Sequence, residues 1–200
     1  MLGNISQTFI QHFCYVVTLY SGIKVIEMGA LIAAPFAARL MAEFGSDVIK
    51  IESPQSGDPL RQWRKLYNGT SLWWYVQARN KKSVTVNIKK EAGQEIIRQL
   101  VKDADILIEN FRPGSMEGWN LGWEQLSAIN SGLIMVRISG YGQTGPYRDR
   151  PGFGAIGESI GVCVIFPGNQ IKRRYVWGSP SEIQLRPCMV SGRINGFASP

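Results

Sequence analysis

The chain has 200 residues, 44% hydrophobic and 18% charged, with a formal net charge of +7. That length and composition suit one globular domain with its own core, and exclude a disordered tract or a fibre. The charge is uneven, because residues 162–200 carry five Lys/Arg against Glu182 alone, and no basic run interleaved with aromatics marks a nucleic-acid groove.

In chain order, the apolar segment Phe9–Tyr20 is too short to span a bilayer and lacks the basic start of a signal peptide, so residues 1–21 are expected to form a non-native or flexible extension. His12 stands alone, which leaves a histidine triad to be completed only by another chain. Cys14, Cys163 and Cys188 are far apart and form no CxxC pair, which argues against a zinc site or a disulfide framework and for a reducing, cytoplasmic setting.

Ile23–Glu27 is a β-prone run, and after Pro35 the residues Phe36, Leu40, Met41 and Phe44 recur at helical spacing until Gly45. Asp47–Ile51 is apolar and β-branched again, so the three segments predict a right-handed βαβ unit. Ser53–Asn68, with Pro54, Gly57 and Pro59, reads as loop and is followed by the aromatic block Leu72–Tyr75. Ser83–Asn87 predicts a strand, Lys90–Lys102 a helix, Asp105–Glu109 a strand, Trp123–Asn130 a helix and Leu133–Ser139 a strand. This alternation predicts an α/β fold: a Rossmann-like, open, mainly parallel sheet.

Gly140-Tyr-Gly-Gln-Thr-Gly145 matches G-x-G-x-x-G after a predicted strand, yet Pro146 follows at once and no helix begins there to hold a pyrophosphate. In such a sheet, ligands sit beyond the carboxyl ends of the strands, in the loops after Glu27, Ile51, Glu109 and Ser139. Ala30–Pro35 offers small residues and a helix N-terminus; Asn110–Gly114 offers an amide, an aromatic face and a guanidinium; Ser139–Gly142 admits a close backbone approach. Together they suit an elongated ligand with an aromatic base, phosphates and an amide-bearing arm. Singly, Phe111 reads equally well as core, Arg112 as a solvated charge and Gly140 as turn chemistry.

Four ordered blocks, GIKVIEMGALIAAPFAARLMAEFGSDVIKIE (residues 22–52), NKKSVTVNIK (80–89), DADILIENFRPG (103–114) and SGYGQTGPYRDRPGFGAIGESIG (139–161), resemble the class III CoA-transferases, a family that includes formyl-CoA transferase and carnitine CoA-transferase. The resemblance implies a partial CoA-transferase large domain over residues 22–161. It implies that Ile32 and Ala33 lie against the thioester end of CoA and Val86 and Lys89 near the nucleotide. Asn110, Phe111 and Arg112 would contact the pantetheine arm and phosphates, and Gly140 and Tyr141 would border the reacting centre. Ser53 and Gly118 stand where relatives can carry basic contacts, which would leave phosphate binding weaker or in the hands of Arg64 or Lys81. Phe153 stands in the neighbourhood of the histidine of the related racemases, which disfavours that activity.

The implied reaction moves CoA from an acyl-CoA thioester to a carboxylic acid. An aspartate attacks the thioester to give a mixed anhydride, and the thiolate then forms an enzyme–CoA thioester. The implied partners are an acyl-CoA and a small carboxylate, with no nucleic acid, membrane, metal or tightly bound cofactor. The family forms an interlocked homodimer, an assembly in question for this chain.

After Gly161 the family pattern stops. Permitted codons for Gly161–Val190, read out of register, yield a string with the Gly-Asp-Ser context of the nucleophile, so residues 162–200 are expected to be an out-of-frame tail. The family aspartate would then be missing from the chain, encoded across the codons of Glu182 and Ile183. On this reading the chain is an inactive N-terminal fragment; the alternatives are a CoA-binding fragment without catalysis and a non-functional pseudogene product.

Overall fold

A computed structural model of the chain describes residues 19–154. His12, the three cysteines, the expected tail and nearly all of the expected N-terminal extension lie outside the described residues.

Five strands form one sheet, in the order β5-β2-β1-β6-β7: β1 (Lys24–Glu27), β2 (Asp47–Glu52), β5 (Lys81–Thr85), β6 (Ile106–Glu109) and β7 (Ile134–Arg137). Every pairing between them is parallel, with Val25 opposite both Val48 and Ile106. The chain runs outward from β1 through β2 to β5, then returns to the other side of β1 as β6, so the order reverses between β1 and β6. That reversal is where open α/β sheets form their ligand crevice.

Parallel strands need both faces covered, and side chains alternate between faces along each strand. On one face, helix α1 (Ala33–Glu43) presents Ala34, Ala38 and Ala42 to Val25, Val48 and Ile108. The other face packs Ile26, Met28, Ile51, Val86 and Leu107 against α3 (Glu91–Val101), α4 (Ser115–Gly118) and α5 (Trp123–Ile129), through Ile97, Val101, Met116, Leu121 and Leu126. Small residues at every fourth position let α1 approach the sheet closely, while the opposite layer is built from large aliphatic side chains.

The stretch predicted as loop after β2 holds more structure. Pro59–Gln62 is a 3-10 turn capped by Asp58, whose side chain accepts from the Leu60 amide. Leu66–Tyr67 (β3) and Thr70–Ser71 (β4) pair antiparallel through Asn68 and Gly69, both at positive φ. Asn-Gly is the sequence that a two-residue hairpin turn demands. The Ser71 hydroxyl then caps α2 (Leu72–Gln77) by accepting from the Trp73 amide, which makes the aromatic block helical.

Residues 139–154 belong to a second compact unit, in which no helix follows the glycine-rich motif up to residue 153. No helix among the described residues is long and apolar enough to cross a membrane.

Candidate functional site

Three neighbouring strands end on a glutamate: Glu27 on β1, Glu52 on β2 and Glu109 on β6, with exposures of 0%, 4% and 0%. Buried carboxylates are costly unless paired and hydrogen-bonded, and each of these is. Glu27 accepts from Lys50 at 2.6 Å and from Lys81 at 2.7 Å. Glu52 takes a two-pronged bond from Arg61, both contacts at 2.8 Å, and a further bond from the Asp58 amide. Glu109 accepts from Arg137 at 2.8 Å and from the Phe111 amide at 2.6 Å, and Arg137 continues to Glu117.

A fourth buried acid, Asp58, lies 2.8 Å from the Lys50 ammonium as an ion contact. Glu27 and Asp58 thus face Lys50 and Lys81, two anions against two cations. Burial alone would push the Lys50 ammonium down, but Glu27 and Asp58 outweigh it and hold its pKa above the ordinary lysine value. For Lys81 burial wins, helped by the neighbouring Lys50, and its pKa is lowered despite Glu27.

These side chains grip the segment that joins β1 to α1. The Gly29 carbonyl accepts from Lys50 at 2.9 Å, and the Pro35 carbonyl accepts from Lys81 at 2.7 Å. Asn110 takes both polar groups of Ala30, accepting from its amide at 2.8 Å and donating to its carbonyl at 2.9 Å. Leu31 is left-handed, at φ 64°, an uncommon conformation for a branched residue, and its amide donates to Asp58 at 3.0 Å. No side chain caps α1, so the amides of Ile32 and Ala33 reach the helix N-terminus without a partner among the described residues.

Two residues expected at the thioester, Ile32 and Ala33, therefore sit half-buried where backbone donors are available. Asn110 joins them as the clasp of the loop, its amide turned to Ala30. Phe111 packs edge-on against Trp119, with ring centroids 5.1 Å apart, and rests on the core, whereas Arg112 is exposed and has no acidic partner among the described residues. Val86 is core, and Lys89 is exposed beyond β5, with β2 standing between that strand and β1. Lys81, an alternative phosphate ligand by sequence, is consumed by Glu27 and Pro35; Arg64 stays exposed, stacked over Trp63 at 4.6 Å.

Within the second unit, Gly140 and Gly152 approach so closely that a Cβ on Gly140 would lie 2.4 Å from the Gly152 Cα. Tyr141 there stacks edge-on against Tyr147. Among the described residues no group of three His, Cys, Asp or Glu side chains is arranged to hold a metal ion.

The acids of this edge are not among the residues that the sequence motifs single out, yet the sequence carries a signal for them: Ile-Glu closes an apolar run three times, at Ile26-Glu27, Ile51-Glu52 and Ile108-Glu109. Glu52 makes the network testable. Burial pushes its carboxyl up, but the bonds from Arg61, Ser83 and the Asp58 amide outweigh that and lower its pKa from the ordinary 4.5 to about 2. A depressed carboxylate contributes stability that is complete above its unfolded pKa and is lost as pH falls from 4.5 towards about 2. Glu52→Gln is expected to destabilise the fold by about 1.5–3 kcal/mol at pH 7, the worth of hydrogen bonds to a charged group. Urea titrations at pH 7 and pH 3 check this, and the gap between the two proteins narrows at the lower pH, which lies inside that window. An equal gap at both pH values would remove Glu52 as the titrating group.

A model of the CoA-transferase family III matches residues 20–178. The chain is 55% identical over 140 residues to the succinyl-CoA–D-citramalate CoA-transferase of Chloroflexus aurantiacus, covering 70% of this chain and 35% of that protein. It is 38% identical over 140 residues to human succinyl-CoA:glutarate CoA-transferase, covering 70% of this chain and 32% of that one. Among solved structures, a CAIB/BAIF family protein from Brucella suis superposes with a TM-score of 0.73 at 31% identity, over 88% of this chain and 50% of the other. The chain thus spans about a third of the length of these curated relatives.

Proposed function

The chain belongs to the CoA-transferase family III, and on that premise we propose that the loop between β1 and α1 receives the thioester end of an acyl-CoA. The whole protein would then move CoA to a short dicarboxylic acid. The carrying observation is the pair of amides at Ile32 and Ala33 that have no partner among the described residues, on a loop where Lys50, Lys81, Asn110 and Asp58 hold the Gly29 and Pro35 carbonyls, both polar groups of Ala30 and the Leu31 amide. Backbone donors at a helix N-terminus suit a thioester carbonyl, whose oxygen gains negative charge when the carbon is attacked. The acceptor class follows the names of the relatives, which pair succinyl-CoA with citramalate or glutarate.

In the implied chemistry an enzyme carboxylate attacks the thioester carbon, the C–S bond breaks and the CoA thiolate leaves, giving a mixed anhydride. The thiolate then attacks the enzyme-side carbonyl, releasing the first acid and leaving CoA bound to the enzyme as a thioester. Glu27, Glu52, Asp58 and Glu109 are all committed to buried ion pairs, so none of them is a free nucleophile. That commitment favours a second reading, in which the chain alone binds CoA without turnover.

Calorimetry with CoA tests the site, and labelled-acid exchange from succinyl-CoA separates the two readings. Arg112→Ala is expected to weaken CoA binding about tenfold, as loss of a charge-assisted phosphate contact does. Its thermal midpoint stays that of the wild type, because the guanidinium has no hydrogen-bond or ion-pair partner among the described residues. Absence of CoA binding by the wild-type chain overturns the proposal.

A further inference from the structure

Four side chains hold the segment from Gly29 to Pro35, and three of them hold relaxed backbone. Asp58 alone holds strain. One of its oxygens accepts from the left-handed Leu31 at 3.0 Å and from Leu60 at 2.8 Å, while the other lies 2.8 Å from Lys50. Leu31 itself is 40% exposed, so packing does not account for its conformation. The left-handed region brings a Cβ close to the following carbonyl oxygen, and such strain persists only where surroundings over-determine it. The next amides along the chain are those of Ile32 and Ala33; the first takes its direction from the Leu31 dihedral angles, and the second follows from it through Ile32 at φ −117° and ψ −56°.

From this geometry we infer that Asp58 is a positioning residue: it locks Leu31 in the left-handed conformation and thereby aims the Ile32 and Ala33 amides at the ligand. The inference rests on the proposed reading of that loop as the thioester site. Asp58 touches no ligand atom in this scheme. Its two oxygens do separate jobs, one fixing the loop and one balancing the buried lysines, and the jobs can be separated by substitution.

Asparagine keeps an acceptor for the Leu31 and Leu60 amides but removes the charge, leaving Glu27 as the one carboxylate between Lys50 and Lys81. Alanine removes both. Asp58→Asn is therefore expected to lower the thermal midpoint while keeping Leu31 protected from hydrogen exchange and CoA affinity within about threefold of wild type, the acceptor being retained. Asp58→Ala is expected to speed Leu31 amide exchange by about tenfold or more, and to weaken CoA binding by about the same factor. Ala30, still clasped by Asn110, serves as the internal reference. Ile97→Val, in the core on the far side of the sheet, reports what destabilisation alone does to affinity.

The assignment is overturned if Asp58→Ala binds CoA as tightly as Ile97→Val, or if Asp58→Asn loses as much affinity as Asp58→Ala. Should Asp58→Ala fail to fold, Asp58→Asn decides alone: a lowered midpoint with intact affinity supports the role, and a parallel loss of both refutes it. If the wild-type chain binds no CoA, the proposed function fails separately, and amide exchange at Leu31 still decides the role of Asp58. Faster exchange in Asp58→Ala than in Asp58→Asn then supports the lock, and unchanged exchange in both variants sinks it.

Discussion

Lys50→Met is expected to cost about 3–5 kcal/mol of unfolding free energy, the effect of removing one partner from a buried ion pair. Lys50 is only 1% exposed on a central strand, a place where lysine occurs only when its charge is met. Its ammonium meets Glu27, Asp58 and the Gly29 carbonyl at 2.6, 2.8 and 2.9 Å. Methionine fills similar space and supplies no donor, so Asp58 is left buried without its contacting cation, the charges of Lys81 and Arg61 reaching it only from farther off, and Glu27 keeps Lys81 alone. Urea unfolding at pH 7 measures the loss as a lower midpoint at unchanged slope. Pairing the change with Asp58→Leu, which removes the stranded carboxylate, is expected to recover part of it, a non-additivity that a double-mutant cycle reads directly. A single variant within about 1 kcal/mol of wild type, the range of an exposed pair, would mean that the network contributes little.

Gly29→Ala is the second large effect, and it is steric. Gly29 needs no unusual dihedral angle, but a Cβ there would lie 2.2 Å from the Ala34 Cβ and 2.5 Å from the Asn110 side-chain oxygen. A Cβ essentially never comes within 3.0 Å of a heavy atom outside its own residue and chain neighbours. Either the first turn of α1 moves away from the sheet or Asn110 is expelled, and expulsion frees both polar groups of Ala30. Overpacking of this kind costs about 1–3 kcal/mol, and two lost hydrogen bonds add about 1 kcal/mol each. CoA affinity is expected to fall at least about tenfold with it, since the donors at Ile32 and Ala33 lose their setting. Gly118→Ala is the control: its Cβ meets nothing within 4 Å, and relief of chain freedom in a helix stabilises by about 0.5–1 kcal/mol. Gly29→Ala with wild-type stability and affinity would show that the loop yields freely.

Most strands are legible in the sequence because parallel strands, covered on both faces, read as unbroken apolar runs, as Ile106–Glu109 does. The strand expected at Ser83–Asn87 lies at Lys81–Thr85 instead. Two lysines read as solvent-facing, but Lys81 buries its whole side chain, and Lys82 pairs across the edge with Asp47. The hairpin escapes a sequence reading because its strands have two residues each, too few to show alternation, although Asn68-Gly69 marks its turn. At the candidate site, the start of a helix close to Pro35 is legible from that proline and the small residues around it, and the helix begins at Ala33. The bonds of Asn110 to both polar groups of Ala30 are not legible, because the two residues stand 80 positions apart. The ion pairs are illegible for the same reason. Glu27 meets Lys50 and Lys81 across 23 and 54 residues of chain, and no local spacing encodes a partner so distant.

The gripped segment between β1 and α1 also bears on how a ligand arrives. A loop that orders on binding loses conformational entropy at that moment and slows association while it closes. Here side chains hold the backbone at Gly29, Ala30, Leu31 and Pro35 in the folded chain, so much of its freedom is lost before any ligand approaches. If that loop is the thioester site, as proposed, an arriving ligand finds its donors already in place, and discrimination among acyl groups falls to shape at that rim rather than to rearrangement within it.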